Sequence, residues 1–198
     1  MELVVASHNL HKIREFRDML KAYPHIDLIS LLNFPNYVSP KESGSTLQEN
    51  CMLKAEHAAK ALNKLVLADD SGLFVPSLGG APGVYSRRYA GDDATDSENR
   101  QKLLAEMEGM EDDQRIAYFE CCLALATPEG VKKCVTGKCE GIILRTERGN
   151  HGFGYDPLFQ KYDYDKTFAE LDESTKNRMS HRRKALEKIL PSIEAIRS

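Results

Sequence analysis

Val66 to Gly72, reading Val-Leu-Ala-Asp-Asp-Ser-Gly, carries an apolar β-type segment straight into two adjacent carboxylates, a hydroxyl and a glycine. Successive strand residues project to opposite faces, so Asp69 and Asp70, placed where a buried strand emerges, cannot both be solvated surface groups. Together with Glu42 they offer hard oxygen donors and nothing soft, which suits Mg²⁺ or Mn²⁺ shared with phosphates and waters and disfavours zinc. A carboxylate in reach of a water can also serve as general base, with a pKa set by its neighbour and the ion. The plain alternative, a turn or helix cap, accounts for only one of the two aspartates, because the following run, Leu73 to Leu78, is apolar and extended.

Three further polar clusters stand where apolar segments end, the places where open α/β sheets bind ligands. Ser7-His8-Asn9-Leu10-His11-Lys12 joins a strand end to a helix start, where backbone N–H groups and the helix dipole favour an anion and Lys12 adds a point charge. It lacks the glycines of a P-loop, and a simple N-cap beside a surface lysine competes as an explanation. Phe153-Gly154-Tyr155-Asp156 sets glycine against aromatic faces that can stack on a nucleobase, or else is a packed turn with its rings in the core. Lys176 and Ser180-His181-Arg182, continued by Arg183 and Lys184, place positive charge at a helix start against the dipole. An anionic or carbonyl-rich ligand would compensate; a nucleic-acid patch and a solvated helix face are the alternatives.

The elements that must hold these clusters follow from periodicity. Leu3 to Ala6 reads as a strand, with a helix carrying Ile13, Phe16 and Leu20 after the break; Ile26 to Leu31 reads as a second strand, and 33–44 as a loop. Thr46-x-x-Glu49 opens a helix through Leu62 with a capping box. A strand is expected to end at Asp69-Asp70, with a separate apolar run at Leu73 to Leu78 and a tight bend over Gly79 to Gly83. Asp96 caps the next helix, Ile116 to Ala126 and Val131 to Leu144 form a hairpin, and Thr167-x-x-Glu170 predicts a short helix. The last helix starts at Ser180, with Pro191 kinking it or starting a fresh turn. Alternating β and α segments with a hairpin between them predict an α/β fold, a mixed twisted sheet with flanking helices.

A chain of 198 residues can bury one substantial core, so one domain, with two lobes at most, is expected. The formal net charge of −3 argues against nonspecific nucleic-acid binding as the main task. Five cysteines with no Cys-x-x-Cys pair fit a reducing cytoplasm. The N-terminal segment turns polar by Ser7, and no stretch of eighteen apolar residues occurs, so neither export nor a membrane partner is expected.

Taken together, Ser7 to Lys12, Ala68 to Gly72, Gly79 to Ser86, Gly152 to Pro157 and Ser180 to Arg182 resemble the inosine triphosphate pyrophosphatase family, the house-cleaning dITP/XTP pyrophosphatases, in order and over almost the whole chain. The resemblance implies a single domain over 1–198, elongated and two-lobed with a central cleft. It implies hydrolysis of ITP, dITP and XTP to monophosphate and pyrophosphate with Mg²⁺, usually in a homodimer. Carried over residue by residue, Asp70 is the proton acceptor and a metal ligand and Glu42 the other ligand. Ser7, His8, Asn9, Leu10, His11, Lys12, Ser71, Phe153, Gly154, Tyr155, Asp156, Lys176, His181 and Arg182 contact substrate. His8 replaces a common family glycine, and Asn150-His151-Gly152 stands where Thr-Gly-Gly is frequent, so both phosphate-side loops are expected to differ slightly in backbone geometry. A silent nucleotide-binding protein and a nucleic-acid module on Lys176 to Lys184 are the rival readings.

Overall fold

The computed structural model describes residues 1–197. Among these the order is β1 (Glu2–Val5), α1 (Leu10–Met19), β2 (Asp27–Ser30), α2 (Leu47–Leu62), β3 (Val66–Phe74), α3 (Asp96–Glu106), β4 (Ile116–Thr127), β5 (Gly130–Ile143), β6 (Phe159–Lys161), α4 (Glu173–Met179) and α5 (His181–Arg197), with short 3₁₀ turns between. One six-stranded sheet has the order β2-β1-β3-β4-β5-β6. β1 is parallel to both β2 and β3, whereas β5 and β6 are antiparallel, so the sheet is mixed as expected.

The chain divides into two compact units. The first comprises Met1–Asp70, Cys121–Gly137 and the segment from Arg182 onward. Its core packs Leu3, Val5, Leu67, Leu123 and Leu125 from the strands against Phe16 and Met19 of α1 and Leu186, Ile189 and Ile193 of α5. The spacing of those helix residues gives each helix one apolar stripe, and each fully buried side chain is worth about 1.5–3 kcal/mol. The second unit comprises Ser71–Glu120 and Lys138–His181. Its core holds Leu73, Leu103, Met107, Ile143 and Leu158 around three rings, with Phe159 at 4.7 Å from Phe119 and 5.0 Å from Phe168 between centroids.

Several expected boundaries are corrected. β3 does not stop at the aspartates but runs through them to Phe74. The continuation depends on Gly72, where a Cβ would stand 2.3 Å from the carbonyl oxygen of Gly83. That contact lets the Gly79 to Gly83 bend fold back, and Ser86 Oγ fastens it by accepting from Leu73 N at 2.9 Å and donating to Gly83 O at 2.6 Å. The Thr167 to Glu170 pattern closes a turn rather than a helix: Glu170 N donates to Thr167 O at 3.1 Å, while Glu170 Oε2 accepts from Thr167 N at 2.8 Å. The helix lies later, as α4, capped by Asp172. β6 was not expected, being three residues long with no alternation to mark it. Thr95, not Asp96, caps α3; Thr46 caps α2, but Glu49 reaches back to Ser45 instead of completing a box with Thr46. α5 continues through Pro191 as one helix.

Candidate active site

Two clusters of charged side chains arise, one in each unit. In the first unit, β3 delivers Asp69 and Asp70 side by side, and strand alternation sends them to different partners. Asp69 is 2% exposed and accepts from Arg182 Nε at 2.7 Å, from Cys121 Sγ at 3.2 Å and from the Lys12 ammonium. Burial alone would raise its pKa, but Arg182 and Lys12 outweigh burial and hold the carboxyl well below its ordinary range. Arg182 also grips Glu15, and neither its side chain nor that of Asp69 has exposed surface. Buried charges survive only when paired, and here Asp69, Glu15, Lys12 and Arg182 neutralise one another.

Asp70 turns the other way. Its Oδ1 accepts from Lys54 Nζ at 2.8 Å, and the same ammonium reaches Glu42 Oε1 at 3.1 Å and Asp69 O at 2.9 Å. Burial raises the pKa of Asp70 and nearby Glu42 adds to the rise, against the pull of Lys54 and Lys12. Burial would depress Lys54, but Asp70 and Glu42 overcome it and raise the ammonium pKa. Glu42 is held by the strap behind it: Asn50 Oδ1 accepts from Gly44 N at 2.7 Å, so close that a Cβ on Gly44 would meet it. Two carboxylates drawn onto one small cation form the donor set expected of a Mg²⁺ site, which takes one or two protein carboxylates and fills the rest with phosphate and water.

The Ser7 to Lys12 loop is already bonded to itself. Asn9 Oδ1 accepts from His11 N at 2.9 Å and Lys12 N at 3.2 Å, and Ser7 Oγ accepts from Asn9 N at 3.1 Å. The N–H groups of Asn9, His11 and Lys12 are thus engaged in the N-cap arrangement that the sequence offered as the alternative. His8, His11 and Leu10 are exposed, Leu10 at 64%, and Lys12 is the cation that the loop presents.

In the second unit, residues 152–156 wrap around one carboxylate. Asp156 Oδ2 accepts from Phe153 N at 2.9 Å and Lys176 Nζ at 2.6 Å, and both charged side chains are nearly fully buried. Lys176 Nζ lies 4.8 Å from the Phe153 ring centroid, a cation–π contact that orients the ring. The N-terminal part of α3 fixes the next residue from both sides: Asp96 Oδ2 accepts from Gly154 N at 2.8 Å, and Arg100 Nη1 donates to Gly154 O at 2.9 Å. His181 stacks on Phe119 with centroids 4.8 Å apart. Of the two readings of Tyr155 the packed one holds: the ring is 4% exposed, with its hydroxyl donating to Ser86 O at 2.8 Å. Ser71 begins this unit, immediately after Asp70 in the chain.

Gly152 has φ +76°, and a Cβ there would fall 2.0 Å from Asp156 Oδ2. Gly152→Ala is expected to cost about 1–3 kcal/mol of stability, read as a melting temperature lower by about 2–4 °C per kcal/mol. The cost arises because the turn, not only the methyl group, must move.

The positive charge at the start of α5 therefore has its compensating anions within the protein: Asp69 and Glu15 for Arg182, and Glu187, 2.8 Å away, for Arg183. Lys54, Glu15, Asp96 and Arg100 are the participants that sequence reasoning missed. A signal for Lys54 existed, since Asn50, Lys54 and Ala58 lie four apart on the inward face of α2 and a lysine there needs a buried partner. For Arg100 no signal existed, because its partners, Gly154 O and the Glu147 carboxylate, lie 54 and 47 residues away.

The chain matches the model of the Ham1 family over residues 3–192. It is 58% identical over 198 residues to a dITP/XTP pyrophosphatase of Protochlamydia amoebophila, with 100% of both chains covered. It is 51% identical over 195 residues to that of Chlamydia abortus, covering 98% of this chain and 95% of the relative. Among solved structures, the HAM1 protein of Coxiella burnetii superposes with a TM-score of 0.88 at 42% identity, and the Ham1 protein of Staphylococcus aureus with 0.86 at 40%. Each comparison covers 98% of this chain and 99% of the other.

Proposed function

Because this chain belongs to the Ham1 family, we propose that it hydrolyses deaminated purine nucleoside triphosphates, namely ITP, dITP and XTP, to the monophosphate and pyrophosphate. The observation that supports this chemistry most directly is the convergence of Asp70 and Glu42 on one ammonium at 2.8 and 3.1 Å, beside Lys12. Phosphoryl transfer to water calls for charge neutralisation, positioning and a base, with no covalent intermediate.

Asp70 and Glu42 are the residues that would hold Mg²⁺, or Mn²⁺ in its place, and the ion would supply neutralisation of phosphate charge and acidification of water. Asp70 accepts the proton of the attacking water: it is close to a second carboxylate, Glu42, and burial keeps it more basic than an ordinary aspartate. Lys12 and Lys54 provide positive charge for phosphate oxygens, each steadied by an aspartate of β3. Arg182 acts by positioning: its guanidinium fixes Asp69, and Asp69 fixes Lys12.

Purine recognition falls to the second cluster. Phe153 offers a half-buried ring for stacking, and Lys176 and His181 supply donors for the C6 carbonyl of hypoxanthine or xanthine. An adenine amino group in that place leaves a buried donor unpaired, at a cost of about 1–3 kcal/mol. Guanine keeps the carbonyl, so it is rejected through its 2-amino group. The family assignment also carries a homodimer and a cytoplasmic location into this proposal; among the described residues no helix is long and apolar enough to cross a membrane.

A pyrophosphate-release assay with dITP and Mg²⁺ tests the reading. One pyrophosphate per dIMP supports it, and salt-sensitive duplex binding without hydrolysis supports the nucleic-acid rival instead. Lys12→Ala is expected to raise KM for ITP by about tenfold, one charge-assisted hydrogen bond's worth, with a smaller change in kcat. Steady-state kinetics across ITP concentrations checks that split.

A further inference from the structure

The first unit contains a pair of thiols that the proposed hydrolysis does not use. Cys121 and Cys122 are neighbours on β4 and project to opposite faces. Cys121 Sγ donates to Asp69, whereas Cys122 Sγ lies 3.3 Å from Cys134 Sγ of β5. Cys51 Sγ donates to the carbonyl oxygens of Ala68 at 3.3 Å and Cys122 at 3.1 Å and so is held in place by backbone. All five cysteines are reduced thiols.

We propose that Cys122 and Cys134 form a peroxide-reactive dithiol, with Cys134 as the attacking thiol and Cys122 as the resolving one. Geometry separates the roles. Cys122 has no exposed surface, while Cys134 is half-buried and is therefore the thiol that a peroxide can reach. The electrostatics agree: the hydrogen bond between the two thiols lowers the Cys134 pKa against the effect of burial and raises that of Cys122. A sulfur–sulfur gap of 3.3 Å closes to the bond length of about 2 Å by side-chain rotation between adjacent strands.

The chemistry balances with hydrogen peroxide as oxidant. The Cys134 thiolate attacks one peroxide oxygen, the O–O bond breaks, hydroxide leaves, and a sulfenic acid remains on Cys134. Cys122 sulfur then attacks that sulfur, the S–O bond breaks, and water leaves with the Cys122 proton. The sum is two thiols and one peroxide giving one disulfide and two waters. A thiol reductant reverses it, as befits a disulfide in a reducing compartment.

Peptide mass spectrometry after limited peroxide treatment of the reduced protein tests the proposal. Trypsin separates Ile116–Lys132 from Cys134–Lys138, so an internal Cys122–Cys134 bond appears as these two peptides joined, with two hydrogens lost and full reversal by dithiothreitol. Cys121→Ser is expected to retain the link. Cys122→Ser is expected to lose it and to leave a Cys134 sulfenic acid that dimedone captures. The proposal is overturned if wild-type protein gives no linked peptides, if the link runs between two chains, or if Cys121→Ser abolishes it.

Discussion

Asp70→Asn is expected to lower kcat for ITP by about 10²–10⁴-fold, the usual contribution of a general base. The substitution keeps the size of the side chain and leaves a carbonyl that can still accept from Lys54, whose other partners, Glu42 Oε1 and Asp69 O, are 3.1 and 2.9 Å away. The fold should therefore persist, with a melting temperature lowered by only a few degrees at about 2–4 °C per kcal/mol. What disappears is the negative charge that accepts a proton and, with Glu42, attracts a divalent cation. Kinetics and a thermal melt on the same preparation check both halves, and near-normal turnover would remove Asp70 from its assigned role.

Arg182→Met is expected to be the most damaging change to stability. It removes the guanidinium shared by Asp69 and Glu15 and leaves Glu15, 3% exposed, without that cation. Breaking a buried ion pair from one side costs about 3–5 kcal/mol. With Asp69 pulled well below its ordinary pKa of 3.8, the Asp69 contribution is complete above that pH and is lost only as pH falls through the lower folded value. The wild-type Asp69 contribution should thus stay constant from about pH 5 to 8, the range in which its folded and unfolded states both remain ionised. Adding Glu15→Leu to Arg182→Met should recover part of the loss, because the uncompensated carboxylate goes with it. Denaturant melts of the four proteins of this cycle measure the coupling. If Arg182 instead contacted substrate directly, Arg182→Met would raise KM and leave stability intact.

The contrast between these two variants shows what could be read in the residues alone. The pairing of Asp69 with Asp70 at a strand was legible because a short apolar run ending in carboxylates has few structural explanations. Their division of labour was not, since it depends on which face meets Lys54 and which meets Arg182, and those partners lie 16 and 113 residues away. The basic start of α5 was read as calling for an anionic or carbonyl-rich ligand, a nucleic-acid patch or a solvated face, whereas Arg182 finds its anions in Asp69 and Glu15 of the chain itself. A carboxylate at position 15 looked like an ordinary polar residue of an amphipathic helix. The long strands and helices were legible from period, and the hairpin from its Thr-Pro-Glu-Gly turn. β3 was cut short because Asp and Gly weaken a strand locally, an effect that the close approach of Gly83 to Gly72 overrides.

The most direct measurement of the central claim is the ratio of kcat/KM for ITP to that for GTP and ATP under identical Mg²⁺ conditions, with products identified. ITP should be favoured over ATP by at least about tenfold, within the range that one unpaired buried donor costs, should be favoured over GTP through the guanine 2-amino group, and should yield pyrophosphate and IMP. Equal turnover of the three nucleotides, or release of orthophosphate as the first product, would contradict the account.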